Sequence, residues 1–223
     1  MPLIQTKALK KDYPLGKTTV HALRGVDVSI EKGEYLCVAG PSGAGKSTFL
    51  NLIGLLDRAT SGEITFDGQA VQSLNPKQFH RFRRQRIAFI FQSFNLVPVL
   101  NAFENIEFPL LIQKVDPAER RKRIDAVTAE VGIREWLKHR PDELSGGQRQ
   151  RVAIARALVT RPEVVIADEP TANLDSVTGK TILEMMERLN REEKTTFIVA
   201  SHDAALMDKS DRVIRVIDGL VHE

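Results

Sequence analysis

Short, largely apolar runs alternate with helical patterns along most of the chain, and this alternation predicts an α/β fold. The runs are short enough to be buried strands, and they occupy residues 35–39, 87–91, 164–168, 196–200 and 212–217. Helical segments are expected from about 46 to 57, from 145 to about 160 and from 176 to 190. Because strands and helices follow one another in turn, we expect a mainly parallel core sheet.

Two parts of the chain depart from this alternation. The first 35 residues alternate apolar and polar side chains, which favours an antiparallel β subdomain, and 63–66 adds a short strand. Between 93 and 144 the chain has four prolines and a helical pattern, which together predict an inserted, mainly helical subdomain. We therefore expect one domain over 1–223, in which 1–92 and 145–223 form the core with its N-terminal antiparallel part and 93–144 form the helical subdomain.

The segment after the first apolar strand, GPSGAGKST at 40–48, matches the phosphate-binding pattern G-x-x-x-x-G-K-[S/T]. Its glycines let the backbone turn so that successive N–H groups point at phosphate oxygens, at the positive end of a helix that starts near Lys46. We expect Lys46 to reach the β- and γ-phosphates of a nucleotide and Ser47 to ligate Mg²⁺. A glycine-rich turn without a ligand is the alternative, but it leaves the Lys-Ser pair unexplained.

Composition restricts the class of protein. The 223 residues are 42% hydrophobic and 27% charged with a net charge of +3, and so small a charge does not argue for a nucleic-acid partner. The single cysteine, Cys37, excludes an internal disulfide and a multi-cysteine metal site, and its strand predicts a buried core thiol. We interpret the basic runs at 80–86 and 120–123 as solvated helix faces rather than nucleic-acid contacts.

We expect neither a signal peptide nor a membrane span. Its N-terminus lacks a long apolar region, and no stretch approaches the roughly 18 apolar residues that cross a bilayer. We expect the chain to stay in the cytosol unless another polypeptide holds it at a membrane.

Two adjacent carboxylates end the strand at 164–168, and in open α/β sheets this edge is where ligands bind. Asp168 suits Mg²⁺ through a water molecule, and Glu169 is the candidate general base for an attacking water. His202 follows the strand at 196–200 and reaches the same edge, where an imidazole can contact a γ-phosphate and orient the water. A capping acid pair and a purely structural histidine are the alternatives.

A second anion site is predicted at the segment Leu144-Ser145-Gly146-Gly147-Gln148. Ser145 stands where a helix N-cap belongs, and a helix N-terminus with glycines and a hydroxyl group attracts anions. A simply capped helix accounts for the serine alone, but it accounts poorly for the whole segment beside a phosphate loop.

With these motifs the chain resembles the nucleotide-binding subunits of ABC transporters over essentially its whole length. The matching motifs are Walker A at 40–48, the Q-loop at 91–93, the signature LSGGQ at 144–148, Walker B at 164–169, the D-loop at 173–175 and the switch histidine at 202. The finer resemblance is to the group of LolD, the MacB ATPase domain and FtsE, carried by 54–68, 87–111 and 168–176. Ala172 stands where many relatives have Gly.

The resemblance implies an ATPase that uses ATP and Mg²⁺. It assigns the catalytic roles to Glu169, His202 and Lys46, with metal contacts from Ser47, from Gln92 and, through water, from Asp168. The implied ATP contacts are Tyr13, which matches the adenine-stacking aromatic residue, and Gly40, Pro41, Ser42, Gly43, Ala44, Gly45, Lys46, Ser47, Thr48, Gln92 and Asp168.

The resemblance also implies partners. Two copies would pair head-to-tail, with Ser145, Gly146, Gly147 and Gln148 facing the opposite ATP and Asp175 organising the dimer interface. Integral membrane permease subunits of the FtsX/MacB type would hold the dimer at the cytoplasmic face of the inner membrane, for lipoprotein release, efflux or envelope signalling. We expect a permease helix to dock on the apolar segment after the Q-loop, at Phe94, Leu96, Val97 and Leu100.

Three rival functions are weighed against this one. An ABC-type ATPase of DNA repair or chromosome structure needs a long insertion between Walker A and the signature, and only residues 48–144 separate them here. A translation-factor ATPase needs two cassettes, whereas this chain has one set of motifs. A non-hydrolysing regulatory module is disfavoured because Glu169 and His202 are both present.

Overall fold

The computed structural model describes residues 1–222; the last residue of the expected domain, 223, lies outside this range. Its strands are β1 Ile4–Leu15, β2 Thr18–Ile30, β3 Tyr35–Ala39, β4 Ser61–Phe66, β5 Gln69–Ala70, β6 Ile87–Phe91, β7 Val164–Asp168, β8 Thr196–Ala200, β9 Arg212–Ile217 and β10 Leu220–His222. Its helices are α1 Lys46–Ile53, α2 Pro76–Arg86, α3 Ala102–Ile112, α4 Pro117–Glu130, α5 Gly146–Leu158, α6 Ser176–Glu193 and α7 Ala204–Lys209.

The main sheet has six strands in the order β10-β9-β3-β8-β7-β6. All its pairs are parallel except β9 with β10, which form an antiparallel hairpin at the edge. A second, antiparallel sheet has the order β2-β1-β4-β5. The predicted α/β class, with a mainly parallel core sheet and an antiparallel part near the N-terminus, is therefore confirmed.

Two hydrophobic cores lie on the two faces of the main sheet. Alternate residues of β3 enter different cores: Tyr35 and Cys37 belong to one, and Leu36 and Val38 belong to the other. The first core is completed by α3 to α6, and the second by α1 and the antiparallel sheet. Burial on both faces explains why β3, β6, β7 and β8 are apolar runs without polar alternation.

Some elements differ from the sequence prediction. Helix α1 ends at Ile53 rather than near 57 because Gly54 is its C-cap and the next residue, Leu55, has a left-handed backbone with φ +57°. Strands β5 and β10 are too short to give a pattern, and α2 had been expected only as a basic helix face. None of the helices within residues 1–222 is long and apolar enough to cross a bilayer.

Candidate functional site

The register of the parallel strands brings the predicted site residues to one edge. Phe91 pairs with Asp168, Asp168 pairs with Ala200, and Ala200 pairs with Val38. The residues that follow this row are therefore Gln92 after β6, Glu169 after β7 and Ser201 after β8, and the phosphate loop begins at Gly40 one residue beyond Ala39. Motifs that are far apart in the sequence thus leave the same edge of the sheet, as ligand-binding groups do in open α/β proteins.

Two glycines of the phosphate loop lie against carbonyl groups of the surrounding strands. Gly40 has φ +144°, and a Cβ atom there would lie 2.2 Å from the Val216 carbonyl oxygen. Gly45 has φ +108°, and a Cβ atom there would lie 2.5 Å from the Ala22 carbonyl oxygen. Both positions therefore need glycine for the backbone angle and for the space.

The N-terminus of α1 is open to an anion. Its N-cap, Gly45, is left-handed and no side chain accepts a hydrogen bond from the first turn, so N–H groups of that turn lack a capping acceptor. The Lys46 side chain is buried against the loop, where its ammonium group donates to the carbonyls of Gly40 at 2.8 Å and Pro41 at 3.0 Å. These features fit a phosphate group, because the donors and the positive charge converge on one loop.

A cavity of about 390 Å³ opens in front of this helix. It is lined by residues 43–48 of the loop and by Tyr13, Val20, His21, Ala22, Arg24, Asp218 and Gly219. The Tyr13 hydroxyl donates to Asp57 at 2.8 Å, and the Lys11 ammonium lies 4.7 Å from the ring centroid. Burial and the bond to Asp57 raise the pKa of Tyr13, so a neutral aromatic ring faces the cavity. Nothing in the sequence pattern indicated that Asp57 and Lys11 would support this ring.

A second cavity, of about 410 Å³, lies over the ends of β7 and β8 and is lined by Glu169, Ser201 and His202. The Glu169 carboxylate is 3.8 Å from the His202 imidazole. Glu169 has φ +45°, and its N–H donates to Ala200 at 3.0 Å, which fixes the backbone of an otherwise strained residue. Asp175 lines the same cavity, but its carboxylate caps α6 by accepting from Val177 and Thr178.

The predicted second anion site is a capped helix N-terminus. Ser145 caps α5 in a capping box with Gln148, and neither residue lines either of the two cavities. A Cβ atom at Gly147 would lie 2.5 Å from the Thr178 methyl carbon, and one at Gly146 would lie 3.2 Å from a methyl carbon of Leu174. Both glycines therefore also serve the packing of α5 against the start of α6 and the preceding loop.

The segment after β6 is tied to its surroundings by contacts that sequence patterns did not reveal. Gln92 is exposed, and its carbonyl accepts from the Asn173 amide at 2.9 Å. The Arg156 guanidinium donates to the carbonyls of Phe94 at 2.8 Å and Asn95 at 2.5 Å. Arg149, two turns earlier on α5, stacks on the Phe94 ring at 5.1 Å. Two arginines of α5 thus hold the segment that follows Gln92.

The predicted docking segment needs a correction. Phe94 is buried and Leu96 packs on the first core, so these two side chains stabilise the fold, whereas Val97 and Leu100 are half-buried. Nearby there is instead a groove of about 370 Å³ between α2, β6, α3 and α5, called the α2–α3 groove below. Its lining is Arg83, Arg84, Ile87, Ala88, Phe89, Phe91, Asn95, Phe108, Pro109, Ile112, Arg156, Ala157 and Thr160.

Comparison with known proteins identifies relatives of this arrangement. A family model described as "ABC transporter" matches residues 23–172. The protein YknY of Bacillus subtilis, an ABC transporter ATP-binding protein, is 42% identical over 97% of this chain and 94% of its own length. The macrolide export ATP-binding/permease protein MacB of Syntrophobacter fumaroxidans is 43% identical over 99% of this chain. The chain spans about a third of the length of that relative, 31%.

A solved structure gives the same result for the fold. The ATP-binding cassette MJ0796 of Methanocaldococcus jannaschii superposes with a TM-score of 0.91 and is 40% identical, over 99% of this chain and 97% of the other. That protein is described as a dimer in a post-hydrolysis state, bound to ADP and Pi.

We predict that Gly40→Ala destabilises the protein more than Gly43→Ala. Both glycines have positive φ, but a Cβ atom at Gly43 meets nothing within 4 Å, whereas at Gly40 it meets the Val216 carbonyl. The control should lower the free energy of unfolding by about 1 kcal/mol and Gly40→Ala by about 3 kcal/mol or more. Urea unfolding measures both, and equal losses would show that the contact with Val216 does not restrict the loop.

Proposed function

Since this chain belongs to the ABC transporter family of ATP-binding proteins, we propose that it hydrolyses ATP to power a membrane transporter of the MacB-like group. The observation that carries the proposal is the common sheet edge, where the phosphate loop and the Glu169–His202 pair leave neighbouring strands. A nucleotide held by the loop would have its terminal phosphate near a carboxylate and an imidazole. Catalysis of phosphoryl transfer depends on this kind of positioning and on charge stabilisation.

The phosphate loop would bind and orient the triphosphate. N–H groups of the first turn of α1 point toward the cavity, and Lys46 would exchange its bonds to the Gly40 and Pro41 carbonyls for bonds to phosphate oxygens. Tyr13 lines the same cavity, where its ring would stack on the base.

Mg²⁺ fits the donor set at this edge. Among residues 1–222 no group of three or more His, Cys, Asp or Glu side chains is placed to hold a metal ion, so a cage made by the protein alone is absent from that range. Mg²⁺ is commonly held by one or two protein oxygens together with substrate phosphates, and Ser47, Gln92 and Asp168 supply such oxygens. The ion would neutralise charge on the phosphates.

Glu169 would accept the proton of the attacking water. Its backbone is fixed by the bond to Ala200, so the carboxylate is held at the strand end, while the exposed His202 imidazole would orient the water and contact the terminal phosphate. Asp168, at the end of β7, remains available for Mg²⁺ through a water molecule.

We predict that Glu169→Gln retains ATP binding and loses hydrolysis by about a hundredfold or more, because the amide keeps the shape and cannot accept the proton. Phosphate release and ATP affinity measure the two effects. Glu184→Gln, on the exposed face of α6, is the matched control and should behave as wild type. A Glu169→Gln variant with turnover within a few-fold of wild type would remove this residue from the role of base.

We further propose that two copies complete each other's sites head-to-tail. The signature residues line neither cavity of their own chain, yet they form a helix N-terminus suited to an anion. In a two-fold dimer each would close on the phosphates bound by the partner's loop, and Asp175 lies in the loop region beside them. The solved relative MJ0796, described as dimeric, supports this arrangement.

Mixing two inactive variants tests the composite site. Lys46→Ala removes the loop's cation and Ser145→Arg blocks the signature, so each homodimer has two defective sites. In the mixed dimer one site keeps both an intact loop and an intact signature, and hydrolysis should return to about a quarter of wild type if subunits exchange at random. Phosphate release that stays at the level of the separate variants would rule out shared sites.

The α2–α3 groove is our proposed contact with the permease. Phe108 and Ile112 leave its apolar side partly exposed, and a helix laid in an apolar groove is a common mode of recognition. The match to MacB proteins, which join an ATP-binding part to a permease, supports a membrane partner of that kind. Lipoprotein release, efflux and envelope signalling remain the proposed processes.

We predict that Phe108→Asp releases the protein from membranes that contain its permease. The change places a carboxylate in the apolar side of the groove, and the bound fraction in co-sedimentation should fall about tenfold or more. Leu111→Asp is the matched control, because Leu111 is exposed to a similar extent on the same helix, 47% against 44%, and does not line the groove. Equal binding of the two variants would place the permease contact elsewhere.

A further inference from the structure

The charged residues that line the α2–α3 groove are all cations. They are Arg83, Arg84 and Arg156, and no Asp or Glu is among the described lining residues. The rest of the lining is mostly apolar, with Phe89, Phe108 and Ile112 among it. The groove therefore combines an apolar side with a positive rim, which restricts the chemistry of what can fill it.

Within the described chain, the cations of the rim differ in their partners. Arg156 uses its guanidinium on the carbonyls of Phe94 and Asn95. Arg86, an arginine of α2 that does not line the groove, lies in ion pairs with Glu163 and Asp67. Arg83 and Arg84 form no ion pair with any described carboxylate, and the Nε atom of Arg83 is buried without a hydrogen-bond partner among residues 1–222. A buried donor without an acceptor is unfavourable, so a group that supplies one would be held there.

The walls of the groove are fixed to each other. The Gln113 amide, just after α3, donates to the Arg84 carbonyl at the C-terminal end of α2 at 2.7 Å. Phe108 and Ile112 lie one helical turn apart on α3, whereas the two arginines belong to α2. A rigid cleft with apolar contacts spaced along its length suits an elongated, regularly spaced occupant.

We propose that the groove selects a permease helix that carries a carboxylate: its apolar face would contact Phe108 and Ile112, and an Asp or Glu at the edge of that face would pair with Arg83 and Arg84. The proposal rests on the permease contact proposed above and adds the charge of the partner. A carboxylate on the partner helix would supply acceptors to Arg83. A helix with a basic residue at the same position would be repelled by the two arginines. The arginines would then determine which helix binds, and the apolar residues would hold it in the groove.

The experiment uses the purified full chain and three synthetic helical peptides of about 14 residues, identical except at two positions on the edge of an apolar face, which carry Glu, Gln or Lys. Binding is measured by fluorescence anisotropy with wild type, with Arg83→Glu/Arg84→Glu and with the matched control Lys77→Glu/Arg81→Glu. Both control residues are exposed on α2 outside the groove and give the same change of net charge. Circular dichroism checks folding, and Arg83→Gln/Arg84→Gln replaces the reversal if that variant fails to fold.

Wild type and the control should bind the Glu peptide at least about tenfold more tightly than the Lys peptide, and the reversal should invert this preference. Equal binding of the three peptides, or no binding of any of them, would overturn the proposal. Binding of phosphatidylglycerol vesicles that is lost with the reversal, without a peptide preference, would assign the arginines to lipid. A further outcome is that Phe108→Asp abolishes membrane binding while the wild type shows no preference among the three peptides. That result would keep the groove as the permease contact and reject only the proposed carboxylate on the permease helix.

Discussion

The parallel pairing of β3, β8, β7 and β6 is the constraint on which the candidate site depends. The register places Val38, Ala200, Asp168 and Phe91 in one row, so that the next residue or two of each strand enter the site. A shift of one residue in any pair would move a catalytic candidate by about 3.3 Å along its strand and would turn its side chain to the other face. Burial on both faces of the sheet opposes such a shift, because most residues of these strands already pack in one of the two cores.

Sequence patterns were sufficient for the fold class because the main strands are buried runs with clear ends. The ranges 35–39, 87–91, 164–168, 196–200 and 212–217 agree with the observed strands. The contacts that support the site were not predictable in the same way. Arg156 reaches carbonyls about 60 positions earlier in the chain, and nothing in the pattern of α5 distinguishes this arginine from a solvated one. The roles of the site residues stay predictions until they are tested.

The docking surface shows why an apolar segment alone is an ambiguous signal. The stretch after Gln92 is apolar and contains a proline, and these properties suit a surface loop as well as a packed one. Tertiary structure decides between them: Phe94 is covered by Arg149, and Asn105 binds the backbone of Val97 and Leu100. Phe108, Leu111 and Ile112 are partly exposed on α3, where helical periodicity alone does not separate the outward face from the core.

The position of Cys37 has a practical consequence for following the protein in solution. This thiol is the only one in the sequence, it is fully buried in the central strand, and burial raises its pKa to about 11. At neutral pH it is therefore both inaccessible and protonated, and alkylating labels will not react with it while the protein stays folded. A cysteine introduced on the surface will carry a spin or fluorescent probe at one defined place in each copy, without first removing the natural thiol.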